Sequence, residues 1–341
     1  MRRLAALVAV LAFAAGSAAA EPPGAPPSPQ AKLVAPGVWL IPGGILPKRQ
    51  PDGNTVIFEG PKGLVVLDTG RHPWHRQAIL DFAASRHAPI VAIVNSHWHL
   101  DHVSGDPALK QAYPGAKVYA SRAIDEALTG FLARSMAEAQ PYLDSGKLPP
   151  ETVEDLRADM ATIRAGQALR PDVPIEASGP RTLGGLRLQV NLVVRAATAG
   201  DVWIYDPRTR LAAVGDLVTL PAPFLDTACA PGWRAALAQV WATPFQVLVP
   251  GHGPVMDRAR FALYRKAFDA LVDCAASPAS KTECAAAWTS AVTPLLGSDS
   301  VEPRRAQGMT EYYVSEVLRA KPGKADACAA GLAPPAPGGE P

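Results

Sequence analysis

The chain has 341 residues, 48% of them hydrophobic and 19% charged, which is enough to bury a large core and far from the composition of a disordered polypeptide. Its 33 basic and 31 acidic residues give a formal charge of +2; residues 1–20 contain Arg2 and Arg3 and no acid, so the remainder balances at 31 against 31. A neutral chain without a Lys/Arg run offers no electrostatic footprint for nucleic acid or an anionic membrane, and both are set aside as partners.

The first predicted element is a secretory signal over residues 1–20. Arg2 and Arg3 precede the apolar run Leu4 to Ala15, and small residues lead to a cleavage site after Ala20. The apolar run is short for a membrane span, so the expected mature chain is periplasmic or secreted and not inserted in a membrane. Residues 21–32 are rich in proline and read as an extended lead-in. Short apolar runs at Val38 to Ile41, Thr55 to Glu59 and Leu64 to Asp68, separated by Gly and Pro, predict strands, the last ending in Asp68-Thr69-Gly70. A helix is predicted over Trp74 to Ser85 and a fully apolar strand over Ile90 to Val94, directly before the run His97-Trp98-His99-Leu100-Asp101-His102, read as a loop.

After a strand at Lys117 to Ala120, residues 121–169 show helical spacing broken by Pro141, Pro149 and Pro150, which predicts an inserted pair of helices. Strands are predicted at Leu186 to Val194, Val202 to Tyr205, Leu211 to Val214 and Gln246 to Val249, with a helix at Trp233 to Trp241. Gly43-Gly44 and Gly184-Gly185 read as turns, and no nucleophile elbow or phosphate-binding loop is present. From residue 258 the pattern is helical: Arg258 to Ala276, Thr282 to Ala291 and Arg304 to Arg319. The domain reading is therefore residues 33–257 as one catalytic unit, 258–332 as a helical extension and 333–341 as a disordered tail.

Cys229, Cys274, Cys284 and Cys328 make an even set, which in an exported chain favours disulfides and allows three pairings. Cys274 with Cys284 is the preferred pair, because Pro278 between them lies where two helices would turn back on each other.

The chemistry concentrates in the histidine run. The chain holds seven His, and three stand within six residues together with Asp101. Alternating side chains such as His97 and His99 can face one point while Asp101 and His102 face another close by, so one short segment can serve two metal positions. Imidazole and carboxylate suit zinc, and also iron or manganese.

With this run preceded by Asp68-Thr69-Gly70 and followed at strand ends by Gly215-Asp216 and Pro250-Gly251-His252-Gly253, the segment from Val38 to Met256 resembles the metallo-β-lactamase superfamily. The resemblance implies an α+β, four-layer αββα sandwich with one or two Zn2+ at its edge. It implies His97 and His99 as ligands of a first metal, Asp101, His102 and His252 as ligands of a second, and Asp216 as the bridging carboxylate. Asp68 is implied as the structural Asp that supports the histidines. A departure stands at Ala196-Ala197-Thr198-Ala199-Gly200-Asp201, where the family places a third His of the first metal and this chain has Ala197.

His97, His99 and Asp216 still form a two-His, one-carboxylate set compatible with iron as well as zinc, and a weakened first site is the leading expectation. Three others stay open. One is a single metal at Asp101, His102, Asp216 and His252, with His97 and His99 freed as bases. Another is a ligand supplied by His72 or His75, for which surface exposure is the simpler expectation. The last is a degenerate site that binds metal or ligand without catalysis, and a mononuclear-iron redox or sulfur enzyme of the same fold is the other alternative to a hydrolase. The expected activity is hydrolysis of a small ester, lactone, thioester or lactam carbonyl, because a metal lowers the pKa of bound water toward about 7 and polarises the carbonyl. Asp101 or a freed His then moves the proton to the leaving group. Trp98 is expected to line the pocket or to wedge its segment against the core.

Overall fold

The computed structural model describes residues 28–297, 302–320 and 328. The signal reading of residues 1–20, most of the lead-in and the tail at 333–341 lie outside the described residues.

The first sheet grows from β1 (Lys32–Ala35), β2 (Val38–Ile41), β5 (Thr55–Gly60) and β6 (Gly63–Leu67), paired antiparallel in turn. A two-stranded ribbon, β3 (Gly44–Ile45) with β4 (Pro51–Asp52), stands apart between β2 and β5. The sheet then continues in parallel through β7 (Ile90–Val94), β8 (Lys117–Ala120) and β9 (Val173–Pro174). Every residue of β6 is buried and apolar or Gly, as a strand covered on both faces requires. Helix α1 (Pro73–Ser85) opens on a proline at its first position, where the missing N–H costs nothing, and lays Ile79, Phe82 and Ala83 against Ile57, Val66 and Ile93. Helix α3 (Asp106–Ala112) adds Leu109 to the same layer.

The second sheet runs β10 (Gly179–Leu183), β11 (Leu186–Val194), β12 (Gly200–Asp206), β13 (Leu211–Ala213) and β14 (Val247–Val249), antiparallel except for the last pair. Gly184 and Gly185 both take positive φ, 56° and 82°, which a two-residue hairpin turn of this twist needs and which residues with a Cβ resist. Strand β12 is buried on both faces with a period of two. Val202 and Ile204 meet the first sheet, whereas Trp203 and Tyr205 meet the helices outside. Those helices are α7 (Ala230–Ala242), α8 (Arg258–Ala276), α9 (Lys281–Val292) and α10 (Glu302–Tyr312), the last running on as a π turn, Tyr313–Leu318. Asp257 caps α8 by accepting from the Arg260 N–H, and Ser280 with Glu283 forms a capping box at α9. Helix, sheet, sheet and helix give the αββα sandwich with a helical C-terminal region. Disulfides join Cys274 to Cys284, the preferred pair, and Cys229 to Cys328.

Two expectations are corrected. The stretch after β8 is not a pair of helices: it forms α4 (Ala123–Thr129), α5 (Phe131–Asp144) and α6 (Pro150–Arg164), followed by a 3-10 turn, Gly166–Leu169. Pro141 lies inside α5 without breaking it, since one proline removes a single N–H donor, whereas the break comes at Gly130, which the periodicity does not reveal. The histidine run is not all loop, because Leu100–Val103 forms a one-turn helix, α2.

Candidate metal centre

The site lies where parallel strands end. Asp68 follows β6, His97 follows β7 by a short turn, Asp216 follows β13 and His252 follows β14, so the carboxyl ends of four strands from both sheets deliver these groups to one edge. Ligand sites commonly form beyond such strand ends. The helical turn of α2 brings Asp101 and His102 round from His97 and His99.

All six residues expected at the centre come together, in two adjacent groups. His97, His99 and Asp216 form one, and Asp101, His102 and His252 the other, each offering donor atoms within 4.8 Å of one another. Asp216 faces both. Its Oδ2 lies 3.6 Å from His97 Nε2 and 3.9 Å from His99 Nδ1, while its Oδ1 lies 3.2 Å from His102 Nε2 and 3.6 Å from His252 Nε2. In the second group His252 Nε2 is 3.0 Å from Asp101 Oδ2 and 3.2 Å from His102 Nε2.

Hydrogen bonds on the outer side of the rings decide which nitrogens present lone pairs. Asp68 Oδ2 accepts from the Ser96 hydroxyl at 2.7 Å and from His102 Nδ1 at 2.8 Å, which turns His102 Nε2 toward Asp216 and His252. Because the single Ser96 hydroxyl hydrogen is used on Asp68, Ser96 Oγ must accept from His97 Nδ1, 2.8 Å away, and His97 Nε2 is left bare. The same reasoning applies to His99. Thr227 Oγ1 donates to the Ala197 carbonyl at 3.0 Å and so accepts from His99 Nε2 at 3.0 Å, turning His99 Nδ1 toward Asp216.

Buried polar atoms with nothing to bond mark what this edge lacks. His97 Nε2 and Asp216 Oδ1 are both buried without a hydrogen-bond partner, and His102 Nε2 faces His252 Nε2 at 3.2 Å. Unpaired buried acceptors of this kind are costly, and a cation among them satisfies them all. Burial and the neighbouring imidazoles hold His97 well below the usual range, so it stays neutral. Burial works against ionisation of Asp101 and Asp216, yet the surrounding His, with Arg71 at Asp101, hold both carboxylates well below the ordinary value. Against burial, the same carboxylates raise His102 and His252, so a cation bound among the donors would take the place of the protons these two rings carry.

Close backbone approach completes the frame. A Cβ on Gly251 would stand 2.0 Å from Asp216 Oδ1, and one on Gly53 would stand 2.4 Å from His102 Cε1. Asn54, which the sequence did not single out, donates to the carbonyls of Pro250 and Gly253 and so pins the loop that carries His252.

His72 and His75 are buried, which corrects the expectation of exposure, and both rings face residues outside the two groups. His75 Nε2 bonds Thr55 Oγ1 at 2.8 Å, and His72 lies between Asp52 and Asp155, 2.8 and 3.3 Å away. The Ala197 position offers only its carbonyl, to Thr227. Trp98 does both things expected of it, packing against Ile124 and lining the cleft above the centre. That cleft holds about 260 Å³, with His99, Asp101, Asp216 and His252 on its floor. Sequence reasoning missed Thr227 and Arg71. Thr227 carries no signal in the chain, whereas Arg71, next to Asp68-Thr69-Gly70, stands beside a motif residue.

Comparison with known proteins agrees with this geometry. A linear primary-alkylsulfatase from Pseudomonas sp. is 26% identical over 226 residues, covering 60% of this chain and 42% of that protein. A hydroxyacylglutathione hydrolase from Gloeobacter violaceus is 34% identical over 82 residues, 24% of this chain and 25% of the relative. The chain thus spans less than half the length of either relative. A metallo-beta-lactamase structure from Pontibacter korlensis superposes with a TM-score of 0.50 at 21% identity, over 68% of this chain and 95% of its own. The family model for the metallo-beta-lactamase superfamily matches residues 50–277, more than half of the chain and all six residues of the centre, and the chain belongs to that superfamily.

Proposed function

We propose that this chain is an exported metal-dependent hydrolase acting on the carbonyl of a small ester, lactone, thioester or lactam, with zinc as its metal. The observation that carries the reading is the pair of three-donor groups sharing Asp216 at the floor of a cleft, with His97 Nε2 and Asp216 Oδ1 unsatisfied. In this reading His97, His99 and Asp216 hold one ion, Asp101, His102 and His252 hold the other, and Asp68 fixes two of the rings. Bound there, the metal supplies an activated water at neutral pH and polarises the carbonyl.

The chain's own residues orient and move the proton. Asp101 Oδ1 lies 3.7 Å from Arg71 and its Oδ2 faces His252, so Asp101 is held at the cleft floor where it can carry a proton to the departing group. Residues 33–257 form the catalytic unit in this reading, and the described helices from Arg258–Ala276 to Glu302–Tyr312 are an extension that reaches the cleft through Met309. Two disulfides fit an oxidising compartment and, with the signal reading of residues 1–20, support a periplasmic or secreted protein. No described helix is long and apolar enough to cross a membrane.

A second reading, a mononuclear iron or binding-only centre, is favoured by one observation: at Ala197 the first group has three protein donors where the family pattern supplies more. Elemental analysis of protein purified without added metal, paired with a screen of the four carbonyl classes, tests both. One or two zinc per chain with turnover is expected. Iron moves the assignment to the second reading, and retention of metal by the Asp101→Ala, His252→Ala double variant overturns the ligand assignment.

A further inference from the structure

Residues 218–229, which lead into α7, touch both donor groups, and the two halves of this segment are fastened in different ways. The upstream half meets the second group. Thr219 bridges to His252, and the Leu220 N–H donates to the His252 carbonyl at 3.2 Å. Buried side chains of the outer helices hold this half: the Tyr264 hydroxyl of α8 accepts from the Thr219 N–H at 3.2 Å, and Trp288 Nε1 of α9 donates to the Pro221 carbonyl at 2.9 Å.

The downstream half meets the first group at His99. Thr227 Oγ1 accepts from His99 Nε2 at 3.0 Å, and Phe224 stands edge-on to the ring at 5.0 Å between centroids. This half also runs beside the turn after β11, with Thr227 Oγ1 bonded to the Ala197 carbonyl at 3.0 Å and the Cys229 N–H to the Ala196 carbonyl at 2.9 Å. The end of the chain closes over it. Tyr313 meets Phe224 at 6.1 Å between centroids, Tyr312 donates to Asp226 Oδ1 at 3.2 Å, and Cys328 is joined to Cys229. The Cys328 carbonyl in turn accepts from Arg195 Nη1 at 2.6 Å. Cys328 therefore clasps together the two stretches that meet at Thr227. Tyr312, Phe224 and Asp226 are partly exposed, whereas Cys229 is buried. Surface contacts yield first when a segment opens locally, so the covalent link carries most of the closure.

Resting on the reading of His99 as a metal ligand, we propose that Cys328, with Tyr312 and Tyr313, positions the first donor group: the chain end keeps Thr227 seated on His99, and the first metal is held at full affinity only while that end is fastened to Cys229. The effect is selective. His97 takes its orientation from Ser96, and His252 is backed by the half that Tyr264 and Trp288 hold, so loosening the chain end frees one imidazole of the first group and leaves Asp101, His102 and His252 in place.

Two measurements on the full chain test this. The first is ring-nitrogen NMR of the histidine-labelled, metal-free protein, with the His99 signal assigned by its loss in His99→Gln. The wild type is expected to show a slowly exchanging Nε2 proton on His99, and the Cys229→Ser, Cys328→Ser variant is expected to lose it. The second is zinc titration against a chelator at a temperature where each variant is folded. In the same variant one class of site is expected to weaken by about tenfold or more, as when a ligand loses its outer partner, while the other class keeps its affinity. The Cys274→Ser, Cys284→Ser variant, which opens the other disulfide of the helical region, is expected to change neither readout. Should the Cys229→Ser, Cys328→Ser protein not fold, Tyr312→Phe with Tyr313→Leu keeps both disulfides and is expected to speed exchange of the same proton. An unchanged His99 proton overturns the proposal and leaves the metal assignment standing. Equal zinc loss in the Cys274→Ser, Cys284→Ser variant overturns it as a general loosening, and a freed His99 with unaltered zinc affinity overturns it together with His99 as a ligand. If the wild type takes up no zinc the metal reading itself falls, and the His99 proton then decides whether the chain end seats Thr227.

Discussion

Asp68 governs two histidines at once, one directly and one through Ser96, and it does so from a backbone with φ of 64°, a region that Asp tolerates better than most residues. Thr227 performs the corresponding task for His99 from 128 residues away. Removing such an outer partner commonly costs 10–100-fold in metal affinity. Thr227→Val, which keeps shape and loses the hydroxyl, is therefore expected to weaken one class of metal site by about 10–100-fold in chelator competition while Thr227→Ser keeps it. Equal affinity in Val and wild type would show that His99 does not depend on this bond. Asp106 is a residue of the opposite kind, tied to structure and not to metal. Burial pushes its carboxyl up to about 7 against the hydrogen bonds from Thr69 and Asn95. Its folded pKa thus exceeds the ordinary 3.8, so the folded state keeps a proton that the unfolded chain loses. Stability from this group is complete below about pH 4 and falls as pH rises to about 7, by a few kcal/mol. Asp106→Asn cannot lose that proton, and the difference between the two proteins in denaturant midpoint should shift in favour of Asn across this window; a constant difference would mean that Asp106 is ionised in the fold.

At the scale of elements, α6 is fastened over the cleft by buried charges. Arg49 meets Asp155 at 2.6 Å, His72 lies between Asp155 and Asp52, and Arg71 meets Asp159. Burial opposes the charged forms, but the paired acids raise His72 and the partner imidazoles hold Asp52 down at about 2. Breaking one member leaves the others unpaired, which costs about 3–5 kcal/mol for a buried pair. Asp155→Ala is expected to lower the melting temperature and to raise amide exchange through α5 and α6 before the sheets respond. Uniform exchange across the molecule would instead place this network inside the global cooperative unit.

For the whole molecule, the disulfides close loops of different length. Cys274–Cys284 spans 10 residues and Cys229–Cys328 spans 99, and the second ties the start of α7 to the chain beyond α10. In the chain-entropy account these stabilise by about 3 and about 4.7 kcal/mol. The Cys229→Ser, Cys328→Ser variant is therefore expected to lose more stability in urea than Cys274→Ser, Cys284→Ser, and the reverse order would show that local strain or residual structure outweighs loop length.

The strands with turn residues at their ends and the run of three His with one Asp were legible in the sequence because they are local signals, whereas the sandwich, the donor roles of the six residues and the support from Asp68 were implied by the resemblance to the superfamily. The sequence also revealed the Cys274–Cys284 pair, whose partners are close along the chain, and the loss at Ala197, which shows as a missing letter in a short pattern. Only the tertiary structure decided that His72 and His75 are buried in networks of their own, that α4 to α6 are three helices with Arg71 and Asp159 joined across the cleft, and that Thr227 and Phe224 meet His99. The physical reason is contact order. A hydrogen bond or ring contact between residues from 20 to 128 positions apart leaves no period or motif in either segment, and it exists only once the fold has brought the two segments together.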